Sequence, residues 1–382
     1  MKRVIKNLPL IAFGILLLAF GYSFAEFLST PPRFDLSQIE FPQALREEKD
    51  MPVIEVFFAT NRAPLAGGME FSDAACETLS YGIAEVRIPE KFRMADVQRP
   101  EIPRGHCDEV LASILRVLPL TAEEFQKRLR ARLQSTGSTQ ATLFVHGIQN
   151  TFDSAVRQAG ALAFALNLPQ PMAVFSWATD PGLSPAAYAR CREQVPAAAR
   201  ALAGFLRDED PSQFDILAHS LGCKVVCAAL AQFDKDSCPA SLLASQANLI
   251  LVAPDVDKGD FKSLFVTSGA TASRHTTVYV ARNDKALVFS SMLNGGPRAG
   301  AGIGPATQVE NLFDEDGGNS AAVEIVDATF INNARTSHGY FYQNRAALSD
   351  LQNLLRNDIP ACQRQLLRHE KAKHSNYWII PP

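Results

Sequence analysis

From Ala141 onward, short apolar runs and helical patterns take turns along the chain, and this alternation restricts the fold more than any other feature. Strands are predicted at Ala141–Val145, Met172–Trp177, Phe214–Ala218, Asn248–Val252, Thr276–Ala281 and Ala322–Ile325. Helical spacing fills the gaps from Phe152 to Leu166, from Pro185 to Leu206, after Ser220, and last from Gln343 to Arg356. Strands that alternate with helices pair in parallel, because each helix must return the chain to the same end of the sheet. The fold class predicted is therefore α/β: a mostly parallel central sheet with helices on both faces.

The approach to this unit differs. Strands at Val53–Ala59, Gly82–Ile88 and Ile114–Leu118 are separated by polar connections with no helical pattern, so antiparallel strands are expected on the N-terminal side of the sheet. Thr121 and Glu124 form a capping box ahead of Phe125, Leu129 and Leu133 at helical spacing. At 382 residues the chain can bury one large core, and a single domain is expected over residues 52–360, with 361–382 as a tail. The Gly/Pro-rich stretch from Asn294 to Thr307 is expected to be a flexible loop near a site.

Ahead of the domain, Lys2, Arg3 and Lys6 precede an uncharged apolar run from Leu8 to Ala25. Residues 1–25 are expected to be an export signal, or an uncleaved membrane anchor, with 26–51 as a polar linker. Either alternative carries the body out of the cytoplasm, to a periplasm or cell surface. A net charge of −3 without a basic block offers no footprint for nucleic acid. Seven cysteines are an odd number and too few for a disulfide scaffold. Cys76 with Cys107 is the pair to test, Cys223 and Cys227 are expected to be buried, and no spacing suggests a metal site or cofactor.

The stretch Phe214–Val226, FDILAHSLGCKVV, reads as buried strand, tight turn and helix with Ser220 at the apex. Such a turn holds a hydroxyl clear of the sheet while the next backbone N–H points at the same spot. Ser220 is thus a candidate nucleophile and the Leu221 N–H a candidate oxyanion donor. The competing role is a plain helix N-cap.

In a parallel sheet the site lies beyond the carboxyl ends of the strands. His146-Gly147-Ile148 follows one strand; the Ile148 N–H is a candidate second oxyanion donor, and His146 is expected to orient the turn. Asp284 follows Thr276–Ala281, and His338 follows the strand that starts at Ala322. Serine, aspartate and histidine therefore occur in the chain order that acyl transfer on such a sheet uses. His338 would be the base and Asp284 the residue that orients it, with Asp255 and Asp257 as alternative acids. Asp327 is expected at a solvent-facing strand end, and His219 to point away from its neighbour Ser220. His275, His369 and His374 are expected on the surface, and Thr60-Asn61-Arg62 as a turn pinning the first strand.

Taken with Val56–Arg62, Phe175-Ser176-Trp177, Ala253-Pro254-Asp255 and Asp284–Leu287, these stretches resemble the alpha/beta-hydrolase superfamily. Within it the chain is similar to a bacterial branch described as alpha/beta hydrolases of unknown function, or loosely as esterase/lipase superfamily enzymes. The resemblance implies a Ser220–Asp284–His338 triad, cleavage of a small-molecule or lipid ester, and no cofactor. Two other outcomes stay open: an acyltransferase, and a non-catalytic envelope module on the same fold.

Overall fold

The computed structural model describes residues 51–65, 68–89, 112–182, 184–209, 214–232, 247–261, 275–301, 323–332, 338–369 and 377–382. The N-terminal apolar run, Cys107 with its proposed pairing, the glycine-rich stretch beyond Ala301, and His374 lie outside the described residues. Among the described residues no helix is long and apolar enough to cross a membrane.

The chain runs β1 (Val53–Pro64), β2 (Phe71–Arg87), β3 (Ser113–Leu120), α1 (Ala122–Thr136), β4 (Ala141–Val145), α2 (Phe152–Ala165), β5 (Met172–Ser176), α3 (Pro185–Asp208), β6 (Phe214–His219) and α4 (Leu221–Leu230). It continues through β7 (Asn248–Val252), β8 (His275–Val280), α5 (Lys285–Asn294), β9 (Val323–Asp327), a short α6 (Tyr340–Gln343), α7 (Arg345–Asn357), β10 (Arg368–His369) and β11 (Tyr377–Ile379). One sheet holds these strands in the order β10-β11-β9-β8-β7-β6-β4-β5-β1-β2-β3. From β1 across to β11 neighbouring strands are parallel, and the β1–β2, β2–β3 and β10–β11 pairs are antiparallel.

Every residue of β4, β5 and β7 is buried, as a parallel strand covered on both faces requires. The two faces separate residue by residue. Phe57, Leu143, Val145 and Ile216 join one core with Phe125 of α1, Phe205 of α3 and Val226 of α4. Phe58, Phe144 and Leu217, one step along each strand, join the opposite core with Val156 of α2 and Leu351 of α7. Phe58 stacks edge-on against Phe71 and Phe152, with ring centroids 5.8 and 5.0 Å away. The capping box forms as the sequence predicts: the Glu124 N–H donates to Thr121 Oγ1, and the Thr121 N–H donates to Glu124 Oε2.

Two expectations are corrected. Thr60-Asn61-Arg62 is not a turn: β1 runs on to Pro64, its register against β2 slipping around Arg62, and all three residues are buried. The described parts of the 361–382 tail pack onto the domain: β11 pairs in parallel with β9, and Arg364 is fully buried against Asp350 and Glu324. Asp327 does not face solvent; it is buried and accepts from the Tyr377 hydroxyl of β11 at 2.5 Å, with the Arg282 guanidinium 3.2 Å away. A buried carboxylate persists only with such partners, one of which arrives from β11 and the other from the turn after β8.

Candidate active site

Ser220 sits between β6 and α4 with φ 55° and ψ −125°, a conformation that costs a non-glycine residue about 1–3 kcal/mol. Bonds on both sides hold it there. The Ser220 N–H donates to the Val252 carbonyl at 2.9 Å, and its own carbonyl accepts from the Cys223 and Asp255 N–H groups at 3.0 and 3.1 Å. The α4 backbone passes so close to the loop after β4 that a Cβ on Gly222 would lie 2.3 Å from the His146 oxygen and 2.6 Å from that of Val145. Backbone on both sides cannot yield cheaply. Gly222→Ala is therefore expected to destabilise the fold by about 1–3 kcal/mol, read as a lower denaturation midpoint.

Asp284 is the N-cap of α5. One carboxylate oxygen accepts from the Leu287 N–H at 3.0 Å, and the other lies 2.8 Å from His338 Nδ1. Because an ionised carboxylate only accepts, Nδ1 carries the proton, and Nε2 is left to accept from the Ser220 hydroxyl at 2.8 Å. Asp284 and Ser220 are buried, and the His338 side chain keeps 17 % of its surface exposed. The three residues named from the sequence thus meet in one hydrogen-bonded chain.

Burial pulls the His338 imidazole pKa down, but the charge and hydrogen bond of Asp284 outweigh it and raise it above the ordinary value. Burial pushes the Asp284 carboxyl up, and His338 and the Leu287 amide pull against that rise without cancelling it. Asp255 and Asp257 do not bond His338. Asp255 accepts from the Tyr188 and Ser290 hydroxyls at 2.9 and 2.5 Å, and Asp257 accepts from the Gly259 N–H.

His219 packs against the imidazole of His338. Its ring lies 4.8 Å from that of His338, and its Nε2 is 3.3 Å from the His338 carbonyl, to which it donates. Burial holds His219 well below the ordinary imidazole pKa, so it stays neutral beside His338. Neighbours on a turn do point apart, yet His338 enters from beyond β9 and lies across the turn. His275 is half-buried, 4.0 Å from Asp358, and His369 is exposed.

Beyond β4, the loop passes close to Ser220: a Cβ on Gly147 would be 3.0 Å from Ser220 Cβ. His146 is fully buried. Its Nδ1–H donates to the Gly147 carbonyl at 2.7 Å and its Nε2 accepts from the Trp177 N–H at 3.2 Å, which defines a neutral tautomer. Burial lowers its pKa to about 3, so it orients the turn and carries no charge near neutral pH. Arg62, Asn150 and Thr179, which sequence reasoning missed as site residues, form a buried cluster at this same end of the sheet. A charged side chain just after the apolar run Val56–Ala59 of β1 was the available signal. Among the described residues no cluster of His, Cys, Asp and Glu is placed to hold a metal ion.

Among solved structures, the phospholipase PlaB from Legionella pneumophila aligns at 16% identity over 38% of this chain and 40% of its own, with a TM-score of 0.26. An esterase from Rhizomucor miehei aligns at 13% identity over 88% of this chain and 95% of its own, with a TM-score of 0.36. The metagenomic carboxylesterase EstE1 aligns at 14% identity over 73% and 88%, with a TM-score of 0.25. No curated protein matches the chain. The family described as "alpha/beta hydrolase of unknown function" (DUF900) matches residues 121–357, a span that contains Ser220, Asp284 and His338. With a doubly covered parallel sheet and well over half of its length matched, the chain belongs to this family of alpha/beta hydrolases.

Proposed function

We propose that the protein is a serine hydrolase that cleaves carboxylic esters, small-molecule or lipid, through an acyl-enzyme on Ser220. The observation that carries this is the unbroken relay from Ser220 through His338 to Asp284, with both hydrogen bonds at 2.8 Å. Ser220 Oγ attacks the ester carbonyl carbon while its proton passes to His338 Nε2. The carbonyl π electrons move onto oxygen, where the N–H groups of Leu221 and Ile148 would stabilise the oxyanion. Collapse breaks the bond to the alcohol, which takes the proton from His338, and water activated by the same imidazole then releases the acid. The basic N-terminus followed by an apolar run supports export, as a periplasmic or membrane-anchored enzyme.

A fluorophosphonate probe tests the assignment, since it forms a Ser–O–P bond and loses fluoride only where a serine is activated. Labelling is expected at Ser220. Its rate should rise with pH, because only neutral His338 accepts the serine proton, and the midpoint should lie above the ordinary imidazole pKa of about 6.5. A folded protein that stays unlabelled across this range would be a binding module and not an enzyme.

A further inference from the structure

We propose that Arg62 is a positioning residue for the oxyanion loop: with Thr179 it holds the Asn150 carbonyl at one end of the loop while Trp177 holds that of His146 at the other, and the loop fixed between them turns its Ile148 N–H toward Ser220. This rests on the serine-hydrolase assignment and gives a role to the Thr60-Asn61-Arg62 stretch, which that mechanism leaves unused.

The loop's carbonyl groups are captured one after another. The His146 carbonyl accepts from Trp177 Nε1–H at 2.8 Å, and the Gly147 carbonyl accepts from His146 Nδ1–H at 2.7 Å. The Ile148 carbonyl accepts from Asn150 Nδ2 at 2.9 Å. The Asn150 carbonyl accepts twice, from Arg62 Nη2 and from Thr179 Oγ1, each at 2.6 Å. In a planar trans peptide the N–H points opposite to the C=O. Tying the Gly147 carbonyl to His146 therefore sends the Ile148 N–H the other way, from a loop that passes so near Ser220 that a Cβ on Gly147 would lie 3.0 Å from Ser220 Cβ.

The loop does not hold this shape by its own preference. Gln149 has φ 62°, a left-handed conformation that a non-glycine residue keeps only where its surroundings hold it. Arg62 supplies the anchor. Its Nε donates to Ser176 Oγ at 3.0 Å and its Nη1 to Asp73 Oδ1 at 2.9 Å, which fixes the guanidinium plane from two sides and leaves Nη2 for Asn150. Burial lowers its pKa to about 10, so it stays charged at neutral pH and its bond to the Asn150 carbonyl is charge-assisted. Lysine offers no planar fork and cannot serve these three acceptors at once.

The test compares Arg62→Lys, Thr179→Val and Thr179→Ser in the full chain, using steady-state hydrolysis of a nitrophenyl ester and inhibition by a trifluoromethyl ketone. Ser220 Oγ adds to that ketone's carbonyl carbon and its proton passes to His338, leaving a hemiketal oxyanion in the hole. Arg62→Lys and Thr179→Val are expected to lower kcat by about 10- to 100-fold, less than the roughly 10²–10³ that follows outright loss of an oxyanion donor, with KM within about threefold. The ketone inhibition constant should rise by the same factor as kcat falls, and Thr179→Ser, which keeps the hydroxyl, should restore both. Variants that fold with a lower Tm but keep kcat within about threefold would make Arg62 merely structural and overturn the proposal. Should Arg62→Lys not fold, the Thr179 pair decides alone. Failure of the underlying assignment looks different: wild-type protein would escape fluorophosphonate labelling, removing both the oxyanion and this role for Arg62.

Discussion

Ser220→Ala is expected to lower kcat for ester hydrolysis by about 10⁶-fold, because the attacking oxygen is lost and the three relay residues act as a unit. What remains is expected to be roughly 10³–10⁴-fold over water, supplied by substrate binding and the oxyanion donors. The fold should not suffer. The Ser220 hydroxyl bonds His338, whose side chain is partly exposed, so water can take the vacated place. Alanine inherits the φ of 55°, and its Tm should match wild type within a few degrees. Ser220→Gly removes the same hydroxyl and also relieves the backbone, so it should be the more stable of the two by about 1 kcal/mol. Steady-state kinetics on both variants, with circular dichroism melts, checks this; wild-type turnover by either would show that Ser220 is not the nucleophile.

Asp284→Asn should lower kcat by about 10⁴-fold, through the proton it misplaces. The carboxylate accepts from Nδ1–H and keeps Nε2 open to the serine. An asparagine amide can instead donate to Nδ1, which puts the imidazole proton on Nε2, facing Ser220, where it cannot accept. The pH profile supplies a second, independent readout. In the wild type burial lowers the His338 pKa and the Asp284 carboxylate more than reverses it. With that carboxylate gone, burial is the largest influence left, so His338 loses its proton more readily. The acid limb of kcat/KM should then move to lower pH even as the plateau collapses. A variant with reduced rate and an unmoved limb would mean that Asp284 acts through the fold. Asp284 also caps α5 through the Leu287 N–H, and asparagine caps nearly as well, so the Tm should change little.

How much of this was legible beforehand follows from the range of each interaction. The partners of the Thr121–Glu124 capping box are three positions apart and depend on nothing distant, so the sequence suffices to place it. The short strands and the helices between them were legible because a strand buried on both faces reads as a mostly apolar run. Ser220, Asp284 and His338 were legible because parallel pairing sends every strand's carboxyl end to the same edge of the sheet. Asp327 was misjudged, and the packing of His219 on His338 was not foreseen, because their surroundings arrive from elsewhere: Tyr377 from 50 residues onward, and His338 from 119. The β11 strand was missed for the same reason, since three residues show no periodicity and become a strand only beside β9.

The sequence alone therefore determined the architecture and the identity of the candidate relay residues, because hydrophobic period and chain order survive without contacts. Tertiary structure decided which carboxylate faces His338, how the loop after β4 is turned, and that a charge on β1 is buried at the site. Each of these depends on a hydrogen bond between residues tens of positions apart, whose energy exists only once the sheet has brought the partners within about 3 Å.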